Sequence, residues 1–291
     1  MEEPQNGAYK KVSLRVDEWL RLHTDEWFSF DDIARYYDWR ERETRDDLSS
    51  KLYYEYTKRN PVLKKKGKFY CVIDRDLDIM NFKHKNPAGF FDIKYPFGLE
   101  QYVKTPRRSL VVVGGSPQAG KTAWAHNLIV LNVNNCRVLL FDSENSEAEL
   151  HERLSAHPGF QDWPDDLVRS RSANFADVID PKALNIIDYL EAPENIWEIR
   201  TLLRELREPL TTGICVAMLQ KPEGRDLPYG KDWAKQLPRL VISMEGGILK
   251  ILKGKSWVKR DVNPDGLRWS FRLVGGEKFV NILPLGKEQA L

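Results

Sequence analysis

Cysteine is scarce. Cys71, Cys136 and Cys215 stand far apart in a chain of 291 residues. That spacing offers neither a zinc set nor a disulfide framework, and points to a reducing, cytoplasmic setting. An excess of charge is missing too: the formal net charge is +2, so any nucleic-acid-binding surface has to be a local one. No apolar run approaches the ~18 residues that a membrane span requires. The polar, acidic start Met1-Glu-Glu-Pro-Gln-Asn6 does not read as a signal peptide. No membrane association is expected, and no internal repeat is found. What is present is 42% hydrophobic and 30% charged. That composition suits a soluble globular protein, and the length suggests about two domains.

The chain is organised around Gly115-Ser-Pro-Gln-Ala-Gly-Lys-Thr122, which reads G-x-x-x-x-G-K-[ST]. Ser109-Leu-Val-Val-Val-Gly114 before it is short, apolar and β-branched, a buried strand. The stretch from Thr122 onward reads as an apolar helix. Strand, glycine-bounded loop and helix together make a phosphate-binding loop. Its backbone N–H groups converge on phosphate oxygens and the helix N-terminus adds partial positive charge. Gly115, Ser116, Pro117, Gln118, Ala119, Gly120, Lys121, Thr122 and Ala123 are the expected nucleotide contacts. Lys121 would reach the β- and γ-phosphates and Thr122 would ligate Mg²⁺.

Further strands are expected at Arg137–Phe141, Ala183–Asp188 and Gly213–Gln220, with helices at Glu147–Ala156 and Ile196–Glu208. Ser146 and Glu149 form a capping-box pair. Asp188 closes an apolar run, as a Walker B aspartate does, and would hold the metal shell. Glu144 and Gln220 fall at the carboxyl ends of strands, where open α/β sheets bind ligands. Alternating strands and helices predict a mostly parallel sheet with helices on both faces. Segments beginning at Arg239, Gly247, Leu267 and Phe279 read as four short strands added antiparallel. A phosphate loop, a metal-holding aspartate and a water-activating glutamate define an ATP hydrolase. Its missing cation is most simply supplied by a second copy.

Residues 1–75 predict helices at Val12–Leu22, from Ser29, and over Thr44–Arg59, the last with Leu48, Leu52, Tyr53 and Tyr56 on one face. A hairpin follows over Val62–Ile73. Three helices and a hairpin resemble a winged helix-turn-helix domain. Residues 76–94 read as a linker, and 95–291 as the nucleotide-binding domain. From Lys58 to Lys68 there are six basic residues and no acidic one. Lys64, Lys65, Lys66 and Lys68, beside a third helix with Arg45, Lys51 and Lys58, suit DNA phosphates. A winged helix used for protein contact is the alternative, and Asp46, Asp47 and Glu55 speak against base reading. The loop 221–238 carries Arg225, Lys231, Trp233 and Lys235. It suits single-stranded nucleic acid, or is a solvated loop with its tryptophan in the core.

Residues from about 95 to 285 resemble a RecA-superfamily ATPase core of the kind found in DnaB-type replicative helicases and RepA-like plasmid helicases. Four stretches carry the likeness: Gly115 to Thr122; Val138 to Ser146 with Glu149 and Arg153; Ile186-Ile-Asp-Tyr-Leu190; and Met218-Leu-Gln-Lys-Pro222 with Arg239–Ser243 and Ile251-Leu-Lys-Gly-Lys-Ser256. The resemblance implies Glu144 as the base that polarises water and Gln220 as a phosphate sensor. It also implies Lys253 and Lys255 as fingers reaching a neighbour's ATP in a ring or filament. The family's second finger is usually arginine; lysine lacks the bidentate fork, which predicts weaker activation in trans. A winged helix in place of the family's helical N-terminal domain leaves helicase loading and primase contact unimplied. Two functions stay open: a nucleic-acid motor or filament ATPase, and an ATP-controlled adaptor that recruits a partner through the winged helix.

Overall fold

A computed structural model describes residues 7–24, 26–75, 83, 89–191, 195 and 198–287. The chain divides into two compact units, residues 1–84 and 85–291. Most of the expected linker, residues 76–82 and 84–88, lies outside the described residues, as does Ile196 of an expected helix.

The first unit contains α1 (Gly7–Leu22), β1 (Phe28–Ser29), α2 (Phe30–Tyr36), α3 (Arg42–Thr57), β2 (Leu63–Lys66) and β3 (Phe69–Val72). Ser29 caps α2 in a capping box with Asp32. The strands form a three-stranded antiparallel sheet in the order β1-β3-β2. Val12, Val16, Trp19, Phe28, Ile33, Leu48, Leu52 and Leu63 form the core.

The expected inner face of α3 is wrong in half its members. Leu48 and Leu52 are buried, but Tyr53 and Tyr56 are exposed, and Lys51 and Glu55 take the inner positions instead. Leu48, Lys51, Leu52 and Glu55 follow the i, i+3, i+4, i+7 spacing of a single helical stripe, which Tyr53 and Tyr56 do not. The buried charges are neutralised locally: Lys51 pairs with Glu55 at 2.9 Å and Asp17 at 3.1 Å, and Lys58 with Glu55.

The second unit is built on a nine-stranded sheet. Its strands are β4 (Ser109–Gly115), β5 (Val138–Asp142), β6 (Val168–Ser170), β7 (Leu184–Asp188), β8 (Ile214–Gln220), β9 (Leu240–Glu245), β10 (Ile248–Gly254), β11 (Leu267–Val274) and β12 (Lys278–Lys287). They lie in the order β12-β11-β10-β9-β4-β8-β7-β5-β6. The run from β9 to β6 is parallel throughout, and β10 to β12 continue it antiparallel. The expectation that the strand beginning at Arg239 joins antiparallel is therefore corrected. β9 pairs parallel with β4, Val112 opposite Val241, because the long connection after β8 returns the chain to the starting direction of the sheet.

Alternate residues of β4 point to opposite faces, as the strand period requires. Val111 and Val113 pack with Trp124, Leu128 and Ile129 of α4 (Lys121–Asn132). Leu110 and Val112 pack with Ile199, Leu203 and Leu206 of α6 (Glu198–Arg207). Both faces of the central strand are thus covered by helices. Two shorter helices complete the unit, α5 (Glu147–Leu154) and α7 (Lys231–Gln236); α7 stands inside the segment read as a loop. Among the described residues no helix is long and apolar enough to cross a membrane.

Candidate nucleotide-binding site

β4 is buried along its whole length and ends at Gly115, level with Gln220 of β8 and Met244 of β9. The chain then bends through Gln118 (φ 61°) and Gly120 (φ 91°) into α4. A Cβ on Gly115 would stand 2.7 Å from Lys121 Cγ, so this position admits little beyond glycine. Lys121 Nζ donates to the carbonyls of Gly115 (3.0 Å) and Ser116 (3.1 Å). Burial lowers the pKa of its ammonium, and the nearby Asp188 and Glu144 carboxylates oppose that shift.

One strand, β8, separates β4 from β7, and β5 follows β7. Asp188 ends β7 directly opposite Asp142 of β5. Asp188 is buried; desolvation raises its pKa, against a hydrogen bond from the Thr122 hydroxyl. Asp142 is buried as well and accepts from the backbone N–H of Glu144 (3.0 Å) and Asn145 (2.7 Å), and from Asn145 Nδ2 (2.8 Å). It therefore fixes the short loop that carries Glu144. The Ser146–Glu149 capping box starts α5 immediately afterwards.

These residues meet in one pocket of about 390 Å³. Pro117, Gln118, Gly120, Lys121, Thr122 and Ala123 line it with Glu144, Asp188 and Gln220. Gly115 and Ser116 meet Lys121 through their carbonyls, and Ala119 N donates to Ser116 O in the same turn. A buried carboxylate beside a threonine hydroxyl, next to a phosphate loop, suits a hard divalent cation completed by water and phosphate oxygens. Among the described residues no cluster of three His, Cys, Asp or Glu side chains could hold a metal by itself.

Lys253 and Lys255 do not line this pocket. Lys253 lies opposite Val241, which is level with Val112, and Lys255 N donates to Arg239 O near the start of β9. Lys253 Nζ caps the end of α7 through the carbonyls of Lys235 (2.6 Å) and Gln236 (3.0 Å). The fingers are at the far end of the sheet from the loop they are expected to serve within a neighbour.

Lys64, Lys65, Lys66 and Lys68 are exposed on the β2–β3 hairpin, and Lys65 lies 4.9 Å from the Tyr70 ring centre. The helix cations grouped with them are committed elsewhere: Arg45 pairs with Asp31 at 2.9 Å, and Lys51 and Lys58 pair with Glu55. In the second unit Arg225, Lys231 and Trp233 are exposed and Lys235 is half-buried. Trp233 is 39% exposed under the Arg200 guanidinium, so it is not a core residue.

Four pocket residues escape the sequence reading: Arg153 of α5, Tyr189, Leu273 and Gly276. Tyr189 follows Asp188 and carries a signal by position alone. Leu273 and Gly276 return to the phosphate loop from the far end of the chain, and no local pattern announces that return.

Strand order, phosphate loop and the two carboxylate-bearing strand ends define a RecA-like P-loop core. No protein-family model and no curated protein matches the chain. Solved structures that it resembles include a KaiC-like protein from the hyperthermophilic archaeon Pyrococcus horikoshii, with 17% identity, 68% of this chain and 100% of that chain covered, and TM-score 0.47. The ATPase domain of a DnaB-type helicase shares 19% identity over 67% of this chain and 90% of its own, with TM-score 0.46. The RadB recombinase shares 14% over 60% and 89%, with TM-score 0.41. The fold assignment rests on the strand order and the loop that this chain itself displays.

Proposed function

We propose that the chain is an ATPase that assembles with copies of itself and acts on DNA, in replication, recombination or a mobile element. The observation that carries this reading is the meeting of Lys121, Thr122, Asp188, Glu144 and Gln220 in one pocket at the carboxyl edge of the parallel strands. The loop amides and Lys121 grip the phosphates. Thr122 and Asp188 would hold Mg²⁺, which neutralises charge on the phosphate oxygens when bound. Glu144 orients the attacking water and takes its proton, while Gln220 reads the terminal phosphate. Lys253 and Lys255 of a second copy stabilise the charge on the transferred group.

For DNA, the four hairpin lysines of a winged-helix domain provide sequence-independent phosphate contacts. The segment with Arg225, Lys231, Trp233 and Lys235 provides a basic and aromatic surface for single strands. A second reading, an adaptor whose first unit recruits a protein, draws on α3. Its cations are held in ion pairs, while Tyr53 is 56% exposed and Tyr56 40%.

ATP turnover with Mg²⁺, measured with and without single-stranded DNA across a salt series, separates the readings. Stimulation that fades with salt supports the DNA-acting ATPase. Turnover unaffected by DNA, with no salt-sensitive binding, leaves the adaptor; no turnover at all removes the ATPase.

A further inference from the structure

Three elements around the nucleotide pocket meet at one buried side chain with no assigned role. Glu277 sits at the turn between β11 and β12 and is 8% exposed. Its Oε1 is 2.8 Å from Nδ1 of His126 on α4 and 2.9 Å from Nε2 of His157, which follows α5. A carboxylate accepts, so each imidazole donates from the nitrogen that faces it. The backbone is tied down as well, Asn127 Nδ2 donating to Glu277 O at 2.9 Å. Burial alone would raise the Glu277 carboxyl; hydrogen bonds and charge from His126 and His157 outweigh it and hold the pKa below the usual value.

The hairpin so tied forms a side of the pocket. Leu273 and Gly276 line it. A Cβ built on Gly120 would meet Leu273 Cδ2 at 3.3 Å and Phe279 Cε1 at 3.4 Å, so the hairpin lies directly on the phosphate loop. Its inner end is held by Phe97, Phe271 and Phe279, whose ring centres are 5.1 to 5.4 Å apart. Leu273 and Gly276 carry no charge. They suit the base and sugar of a nucleotide, whereas the phosphates belong to the loop amides and Lys121.

We infer that Glu277 is a positioning residue for nucleotide binding: by tying the β11–β12 turn to α4 through His126 and to the segment after α5 through His157, it fixes the apolar wall that receives the nucleoside. The inference rests on the proposed nucleotide site, and its test distinguishes the two. A side chain that merely stabilised the fold would affect every ligand alike. One that sets the nucleoside wall affects ATP and spares a ligand made of phosphate alone.

The experiment is competition against a fluorescent ATP analogue, with ATP and with inorganic tripolyphosphate as competitors. It uses the full chain, Glu277→Ala and His157→Ala. Glu277→Ala should weaken ATP about tenfold and tripolyphosphate less than about twofold. His157→Ala, at a less buried contact, should lower the ATP-to-tripolyphosphate ratio about threefold. Both ligands weakened in equal proportion, or ATP not weakened at all, overturns the inference. Failure of the parent chain to bind ATP removes the nucleotide site itself. If Glu277→Ala does not fold, the ratio for His157→Ala decides.

Discussion

At the carboxyl ends of β5, β7 and β8 the sheet gathers Glu144, Asp188 and Gln220 around a loop with a single lysine. At the other end, beside the start of β9, Lys253 lies in the field of Lys255, Arg239 and Lys235, with Asp265 the opposing carboxylate. The stretch of β4 from Leu110 to Gly115 separates the levels of the two groups, about 16 Å at the rise of a strand. A lysine side chain cannot bridge that span within one chain. The pocket end has carboxylates to hold a cation and water; the far end has the spare positive charge. The difference teaches that a complete hydrolytic centre draws on two copies.

The strongest way to break this contrast is at the pocket end. Glu144→Gln should retain nucleotide binding and lower turnover about 10³-fold, the range of a positioned general base. Turnover at the parent rate would remove Glu144 as the base. At the far end, replacing Lys253 and Lys255 together with Ala should lower turnover about 10²-fold in assembled protein. Rates measured at high and low protein concentration should converge on dilution.

Smaller effects sharpen the contrast. Asp142→Ala frees the loop that presents Glu144; about 1–3 kcal/mol of stability should be lost, read by denaturant titration, with turnover falling alongside. Burial first, then the three neighbouring cations, lowers Lys253 to about 8. The protonated form is the one that attracts a phosphoryl group, so finger-dependent turnover should decline as pH rises through about 8. Lys253→Arg, charged throughout, should flatten that limb. In the first unit the parallel contrast is between paired and unpaired cations. Replacing Lys64, Lys65, Lys66 and Lys68 with Gln should reduce the salt slope of DNA binding by about 3 to 4, whereas Arg45→Gln should change it by less than about 1.

Much of the pocket was legible because its signals are local. A glycine-bounded loop between strand and helix, an aspartate closing an apolar run and a capping box each occupy a few consecutive residues. The parts that were not legible depend on distant pairing. β6 is three residues long at a sheet edge, and its place is set by pairing with β5 rather than by a pattern of its own. The direction of β9 depends on where the chain goes between Lys221 and Pro238. Lys221 reads in sequence as one of several loop cations, yet it is buried, bonded to Glu245 and to Arg225 O. Lys51 and Glu55 likewise read as surface charges, and the fold turns them inward together. His126 and Glu277, 151 positions apart, are of the same kind. A charged side chain in sequence does not disclose whether its partner is water or another residue.

The most direct measurement mixes two inactive variants, Glu144→Gln and the Lys253→Ala/Lys255→Ala double variant. Each supplies the half that the other lacks. If the hydrolytic centre is shared between copies, an equal mixture should recover about one quarter of the parent turnover, the fraction of junctions that join an intact pocket to intact lysines. Mixed assemblies shown to contain both chains and yet no more active than either variant alone would contradict it.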